Sequence, residues 1–196
     1  MNTELKLFLI VLVTALISAC SVGGKTRSSQ FYVLDATIEQ PLGDSMEDLR
    51  LGVGPIAIPG YVNRPQLITK TDTAEVQIEE FARWAEPLEE MFTRTLSENI
   101  RALTNSQQIH SHPWPKLVEY DHRIAAKVIK FENDSQGNAL LVVHWGLVHQ
   151  TDSREVANIT YSEYRATAKA SDFSSRVDAL NDTLAQFARD IMASLI

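Results

Sequence analysis

The side chains able to carry covalent, acid–base or metal chemistry are few and scattered. Cys20 is the single cysteine, so no intramolecular disulfide and no cysteine-based metal cluster is available. His110-Ser111-His112 places two imidazoles on one face of an extended strand, and His122, His144 and His149 are the other candidates for completing a metal site. His144 and His149 are five residues apart, however, and in a strand they point to opposite faces. No HExxH helix pair and no carboxylate at ligand spacing accompanies them, so the histidines read as solvated or packed and no metal is assigned. No Gly-x-Ser-x-Gly elbow presents a nucleophile. Glu79-Glu80 and Glu89-Glu90 are sequential neighbours that point apart, unlike an acid/base pair. Gly52-Val53-Gly54-Pro55-Ile56-Ala57 meets the loose dinucleotide pattern, yet Pro55 and Pro59-Gly60 follow and no helical period begins. Without a helix N-terminus to meet a pyrophosphate, these glycines read as relief of strand crowding. The expectation is no enzyme, no catalytic residue and no cofactor.

The thiol of Cys20 has a different context. Leu7 to Ile17 is an uncharged, mostly apolar run of 11 residues, preceded by Lys6 and the amino terminus and followed by Ser18-Ala19-Cys20. Extended to Ala19 the run has 13 residues, about 20 Å of helix against a hydrocarbon core of about 30 Å, so the layout is that of a signal peptide rather than a span. Ile17-Ser18-Ala19-Cys20 resembles a bacterial lipobox, in which the cysteine is lipidated and becomes the first mature residue. The competing reading is an ordinary signal peptide that ends near an unpaired cysteine. Acylation at Cys20 attaches the chain to a membrane through its N-terminus. Ser21 rather than Asp follows, which is similar to lipoproteins sent to the outer membrane, facing the periplasm. Residues 1–19 are thus expected to be a lipoprotein signal peptide and 20–30 a lipidated flexible tether. The ten residues Ser21 to Gln30 would span about 17 Å on average.

The whole chain of 196 residues carries 18 Lys+Arg against 25 Asp+Glu, a net charge of −7. That balance argues against nucleic acid as a partner and offers no basic patch for anionic lipid. With 44% hydrophobic and 22% charged residues, disordered, collagen-like and coiled-coil classes are excluded. Residues 31–196 are expected to form a single α/β domain. Phe31 to Leu34 and Leu49 to Ile58 read as strands, separated by the turn cluster Pro41-Leu42-Gly43-Asp44, and Leu67 to Thr71 with Glu75 to Ile78 read as a hairpin. Apolar residues at Leu88, Met91, Phe92, Leu96, Ile100 and Leu103 form one helical face, with Pro87 suited to the first helical position. Ile109 to Trp114 reads as a short extended segment ending at Pro113-Trp114-Pro115. Tyr120 to Phe131, Ala139 to His149 and Val156 to Ala168 read as an antiparallel meander. Its middle strand is apolar on both faces, which predicts helices on both sides. A second helix covers Ser174 to Leu195, capped by Asp172 or Ser174. Two main helices and a mixed sheet give a three-layer α/β/α expectation.

The most distinctive strings are Arg64-Pro65-Gln66 and Arg83-Trp84-Ala85-Glu86-Pro87-Leu88. Trp84 reads either as a staple at the helix entry, with Arg83 paired to Glu86, or, together with Arg64, Pro65, Gln66 and Arg83, as part of a partner-binding surface. Val53 to Lys70, then Ala82 to Ile100, then the Pro113 to Pro115 element, all behind a lipobox, resemble the PqiC/YmbA family of ABC-type transport auxiliary lipoproteins. The resemblance implies a fold similar to the N-terminal domain of TolB and a non-enzymatic subunit of a lipid transport system. It also implies a PqiB-like MCE-domain tunnel protein as partner, and a role in envelope integrity. A lipoprotein that stabilises an outer-membrane assembly machine without an ABC system is the alternative, and a periplasmic hydrolase is a third class. A homo-oligomer is compatible with the sequence.

Overall fold

Alternating strand patterns and two helical periods resolve into ten elements in the computed structural model, which describes residues 3–4, 27–41, 46–114, 118–149 and 157–195. They are β1 (Gln30–Tyr32), β2 (Leu51–Ala57), β3 (Gln66–Lys70), β4 (Val76–Trp84), α1 (Leu88–Thr104), β5 (Ile109–Ser111), β6 (His122–Asn133), β7 (Ala139–His149), β8 (Ala157–Ala166) and α2 (Phe173–Ala193). Cys20 with nearly all of the leader, the tether up to residue 26, Leu42-Gly43-Asp44, Pro115 and the 150–156 connection lie outside the described residues.

The eight strands form one mixed sheet. β6, β7 and β8 are the expected antiparallel meander, with Ala139 to Val148 of β7 in unbroken register with β8. Along its other edge β6 pairs in parallel with β2, which pairs in parallel with β5, and its last residue reaches β3. The β3–β4 hairpin then carries β1 in parallel as an edge strand. Bulges interrupt β2, β6 and the β3–β4 pair, and each adds local twist, so the sheet curls.

The α/β class, the mixed sheet and the two main helices agree with the sequence reading, but the layering differs. Phe92 of α1 meets Phe131 of β6 edge-on at 5.2 Å, and Phe187 of α2 meets Trp145 of β7 at 5.7 Å. Phe131 is paired in register with Leu141, and Leu141 and Trp145 are alternate residues of one strand, so both helices lie on the same sheet face and pack against each other. The expectation of helices on both faces fails because the second apolar face of β7 is only partly covered. Val142 is buried between Lys130 and Glu163 in register, whereas His144 on the same face is exposed.

All six apolar residues predicted for α1 are buried, and so are Thr93, Thr95, Ser97, Asn99 and Thr104. That second buried flank exists because residues 33–38 leave β1 and cross the helices as an extended strap, with Leu34 fully buried and Ile38 nearly so. Thr95 donates to the Leu34 carbonyl at 3.0 Å, Asn99 Oδ1 accepts from the N–H groups of Thr37 and Ile38 at 3.1 and 3.2 Å, and Asn181 Oδ1 accepts from Asp35 at 3.2 Å. The strap fulfils the rule that buried backbone groups need partners, here by helix side chains instead of a strand. Leu34 therefore does not belong to the first strand, as the sequence pattern suggested. Pro87 is the N-cap residue of α1 rather than its first helical residue, and Asn105 closes the helix in the left-handed conformation. Asp172 caps α2, accepting from Ser175 N–H at 3.0 Å.

Candidate functional site

Two strings distant in sequence meet at one end of the sheet. Pro59 to Arg64 form a turn in which Val62 and Asn63 donate to the Pro59 carbonyl at 3.1 and 3.0 Å, and Arg64 donates to Val62 at 2.8 Å. Val62 is buried and pins the turn to the core. β4 extends past the predicted hairpin to Trp84, whose N–H donates to the Pro65 carbonyl at 2.7 Å, while Gln66 sits opposite Arg83. Ala85 N–H donates to Tyr32 of β1 at 2.9 Å, and Pro87 then starts α1. The turn, the strand end and the helix entry enclose a groove of about 370 Å³, lined by Asn63, Arg64, Pro65, Trp84, Ala85, Glu86, Pro87 and Leu88.

Of the five residues singled out from the sequence, Arg64, Pro65 and Trp84 line this groove. Gln66 and Arg83, paired across the ladder, are both half-buried and do not line it. By strand alternation Arg83 faces away from the Trp84 side. Trp84 is 7% exposed, so its indole is packed as a staple would be, yet its ring still contributes groove wall. Glu86 does not pair with Arg83. It lies 3.6 Å from Arg94 of α1, which also reaches Glu98 at 3.7 Å. Arg64 is half-buried, and its Nε is enclosed with no hydrogen-bond partner. An enclosed guanidinium N–H is costly to leave unpaired. The groove therefore sets the half-buried Arg64 side chain beside apolar Pro and Trp surface, a combination suited to an extended segment that carries a carbonyl or carboxylate.

A larger groove, about 610 Å³, went unseen in the sequence. Ala57, Ala125 and Gly146 contribute to it, with Ile159 at 76% exposure on β8 and Lys127 and His144 as cross-strand neighbours. The signal was present as small residues in β2, β6 and β7, but only the register of the strands places Ala125 opposite Gly146.

The remaining chemistry candidates separate. His122 and His149 face each other in register with ring centroids 4.5 Å apart, a pairing that the spacing of the histidines did not reveal. Burial pushes the His122 imidazolium pKa down, assisted by His149 and opposed by Asp121. His144 stacks edge-on against Tyr161, and His112 against Trp114. Among the described residues no three His, Cys, Asp or Glu side chains group as metal ligands. Gly52 and Gly54 lie within β2, as the crowding argument requires. A Cβ on Gly52 would approach the Trp114 ring at 3.3 Å, and Gly54, at φ +121°, would place one 2.6 Å from His112 Cβ. The burial of Tyr164 and its 2.6 Å bond to Asp190 push that phenol well above its usual range, and they tie β8 to α2.

No helix among the described residues is long and apolar enough to cross a membrane. The model of a family of ABC-type transport auxiliary lipoprotein components matches residues 32–192. None of the curated proteins matches the sequence. Among solved structures, an uncharacterized protein superposes with a TM-score of 0.66 at 19% identity, over 86% of this chain and 99% of that one. Protein XCC0632 from Xanthomonas campestris, of the family DUF330, superposes with a TM-score of 0.68 at 17% identity, over 83% and 92% of the two chains. At these identities the likeness is one of fold.

Proposed function

Since the chain belongs to the family of ABC-type transport auxiliary lipoprotein components, we propose that it is an accessory docking subunit. In this reading it is acylated at Cys20, held at the periplasmic face of the outer membrane, and binds the end of an MCE-domain tunnel protein in an intermembrane lipid transport system. Residues 20–30 tether a single domain, and the assembly supports envelope integrity.

The observation that carries the docking role is the convergence of Arg64, Pro65 and Trp84 on one groove with the Arg64 Nε unpaired. A packing device would have its Nε–H satisfied from within the chain, as that of Arg176 is by the Ser171 carbonyl at 3.1 Å. Gln66, next to Pro65 in the chain, extends the proposed contact along β3, whereas Arg83 faces away from the Trp84 side. Co-purification from detergent-solubilised envelopes tests the reading. The wild-type acylated chain retains an MCE-domain protein, and Arg64→Ala releases it while the melting temperature holds. Recovery of an outer-membrane assembly machine in place of an MCE-domain protein would transfer the docking role to the alternative partner.

A further inference from the structure

Two phenylalanines stand in solvent where the chain enters the sheet. Phe31 of β1 is 65% exposed and Phe81 of β4 is 44% exposed. Their neighbours Tyr32, Ala82 and Trp84 turn into the core, and Phe31 is paired with Arg83, which alternates with Phe81 on the outer face. The Arg27 guanidinium lies 5.9 Å from the centre of the Phe81 ring. Aromatic rings rimmed by cations on an outer sheet face mark an interaction surface rather than ordinary scatter. The sequence shows no basic patch because these arginines are far apart in the chain, and the fold brings them to one edge.

We infer that this edge, Phe31 and Phe81 flanked by Arg27 and Arg83, rests in the headgroup region of the bilayer that holds the anchor. The inference rests on the lipoprotein reading. Arg27 lies seven steps along the chain from Cys20, a reach of at most about 25 Å and on average nearer 15 Å. The acyl chains therefore keep this edge, and not the far hairpin end at Asp72, within contact distance of lipid. The rings supply apolar area for the interface, and the guanidinium groups meet lipid phosphates. The anchor then fixes the orientation of the domain, leaving the Arg64 to Trp84 groove beside the membrane.

Acylation consumes the single native thiol, so a cysteine introduced elsewhere can be labelled uniquely. The acylated chain carrying Phe81→Cys, labelled with an environment-sensitive nitrobenzoxadiazole probe, is reconstituted in vesicles of phosphatidylethanolamine and phosphatidylglycerol. The label is expected to shift to the blue and to lose about half its emission to shallow doxyl-lipid quenchers, as is Phe31→Cys, whereas Asp72→Cys stays water-like. An acylated, vesicle-bound chain whose label at Phe81→Cys is quenched no more than that at Asp72→Cys overturns the inference. A blue shift without doxyl quenching also overturns it, because a protein surface then covers the edge. A purified chain without acyl mass removes the lipoprotein reading itself, and the inference with it.

Discussion

Replacing Asn99 with alanine is expected to loosen the strap that links the anchored N-terminal segment to the helices. Asn99 is fully buried, and its Oδ1 accepts from two consecutive backbone donors, Thr37 and Ile38. Truncation leaves the Ile38 N–H buried with no acceptor, at about 1–3 kcal/mol, while the partly exposed Thr37 N–H recovers water and loses roughly 0.5–1 kcal/mol. The sum, about 1.5–4 kcal/mol, is partly offset because truncation also removes the buried, unpartnered Asn99 Nδ2, so the net loss is about 1–3 kcal/mol, a melting temperature lowered by roughly 2–12 °C for a chain of this size. Asn181→Ala frees only the partly buried Asp35 N–H and should cost about 1 kcal/mol. Thermal unfolding by circular dichroism gives the magnitudes. Amide exchange of residues 35–38 locates them, with the amides of Thr37 and Ile38 exchanging faster in Asn99→Ala, and that of Asp35 in Asn181→Ala. An Asn99→Ala protein within about 0.5 kcal/mol of wild type, with both amides still protected, would show that the strap does not depend on this side chain.

Gly54→Ala places a methyl group 2.6 Å from His112 Cβ at a φ of +121°, so the fold should lose about 2–4 kcal/mol by chemical denaturation, whereas the exposed Gly60, with open space around it, should tolerate alanine. Burial lowers the His122 pKa from 6.5, so the unfolded chain takes up the proton first. Stability from this group is therefore full above about pH 6.5 and declines as the pH falls below it, and His122→Gln should flatten that decline in denaturant titrations at a series of pH values. Cys20→Ala should leave a species without acyl mass, either soluble or still carrying the uncleaved leader, as read by mass spectrometry of the N-terminal peptide.

Much of the architecture was legible because local pattern and tertiary burial agree. Leu88 to Leu103 keep one helical face, and polar turn formers delimit β6, β7 and β8. The parts that escaped depend on register or on side chains with two uses. The β3–β4 bulge breaks the alternation of Glu79-Glu80-Phe81, so the strand running on to Trp84 looked like a helix approach. Leu34 looked like a strand residue because nothing local shows that Thr95, Asn99 and Asn181, polar positions in amphipathic helices, would supply the backbone partners of residues 34–38. β7 is apolar on both faces, but one face lines a groove rather than a helix interface, a difference that rests on Ala125 meeting Gly146. The His122–His149 contact needed the same register, where a slip of one residue would send the two rings to opposite faces. At the candidate site, both strings were evident as unusual sequence. Their union comes from the Trp84 N–H bond to Pro65 and the pairing of Gln66 with Arg83, which depend on tertiary register.

The docking claim is tested most directly by the affinity of the acylated protein for the MCE-domain protein, measured for wild type, Arg64→Ala and Gln66→Ala alongside the melting temperature of each. Both variants should melt within about 2 °C of wild type, and Arg64→Ala should bind at least about tenfold more weakly, with Gln66→Ala weakened in the same direction. Unchanged affinity in both variants, or lost affinity accompanied by a matching fall in melting temperature, would contradict it and return these residues to the packing of the fold.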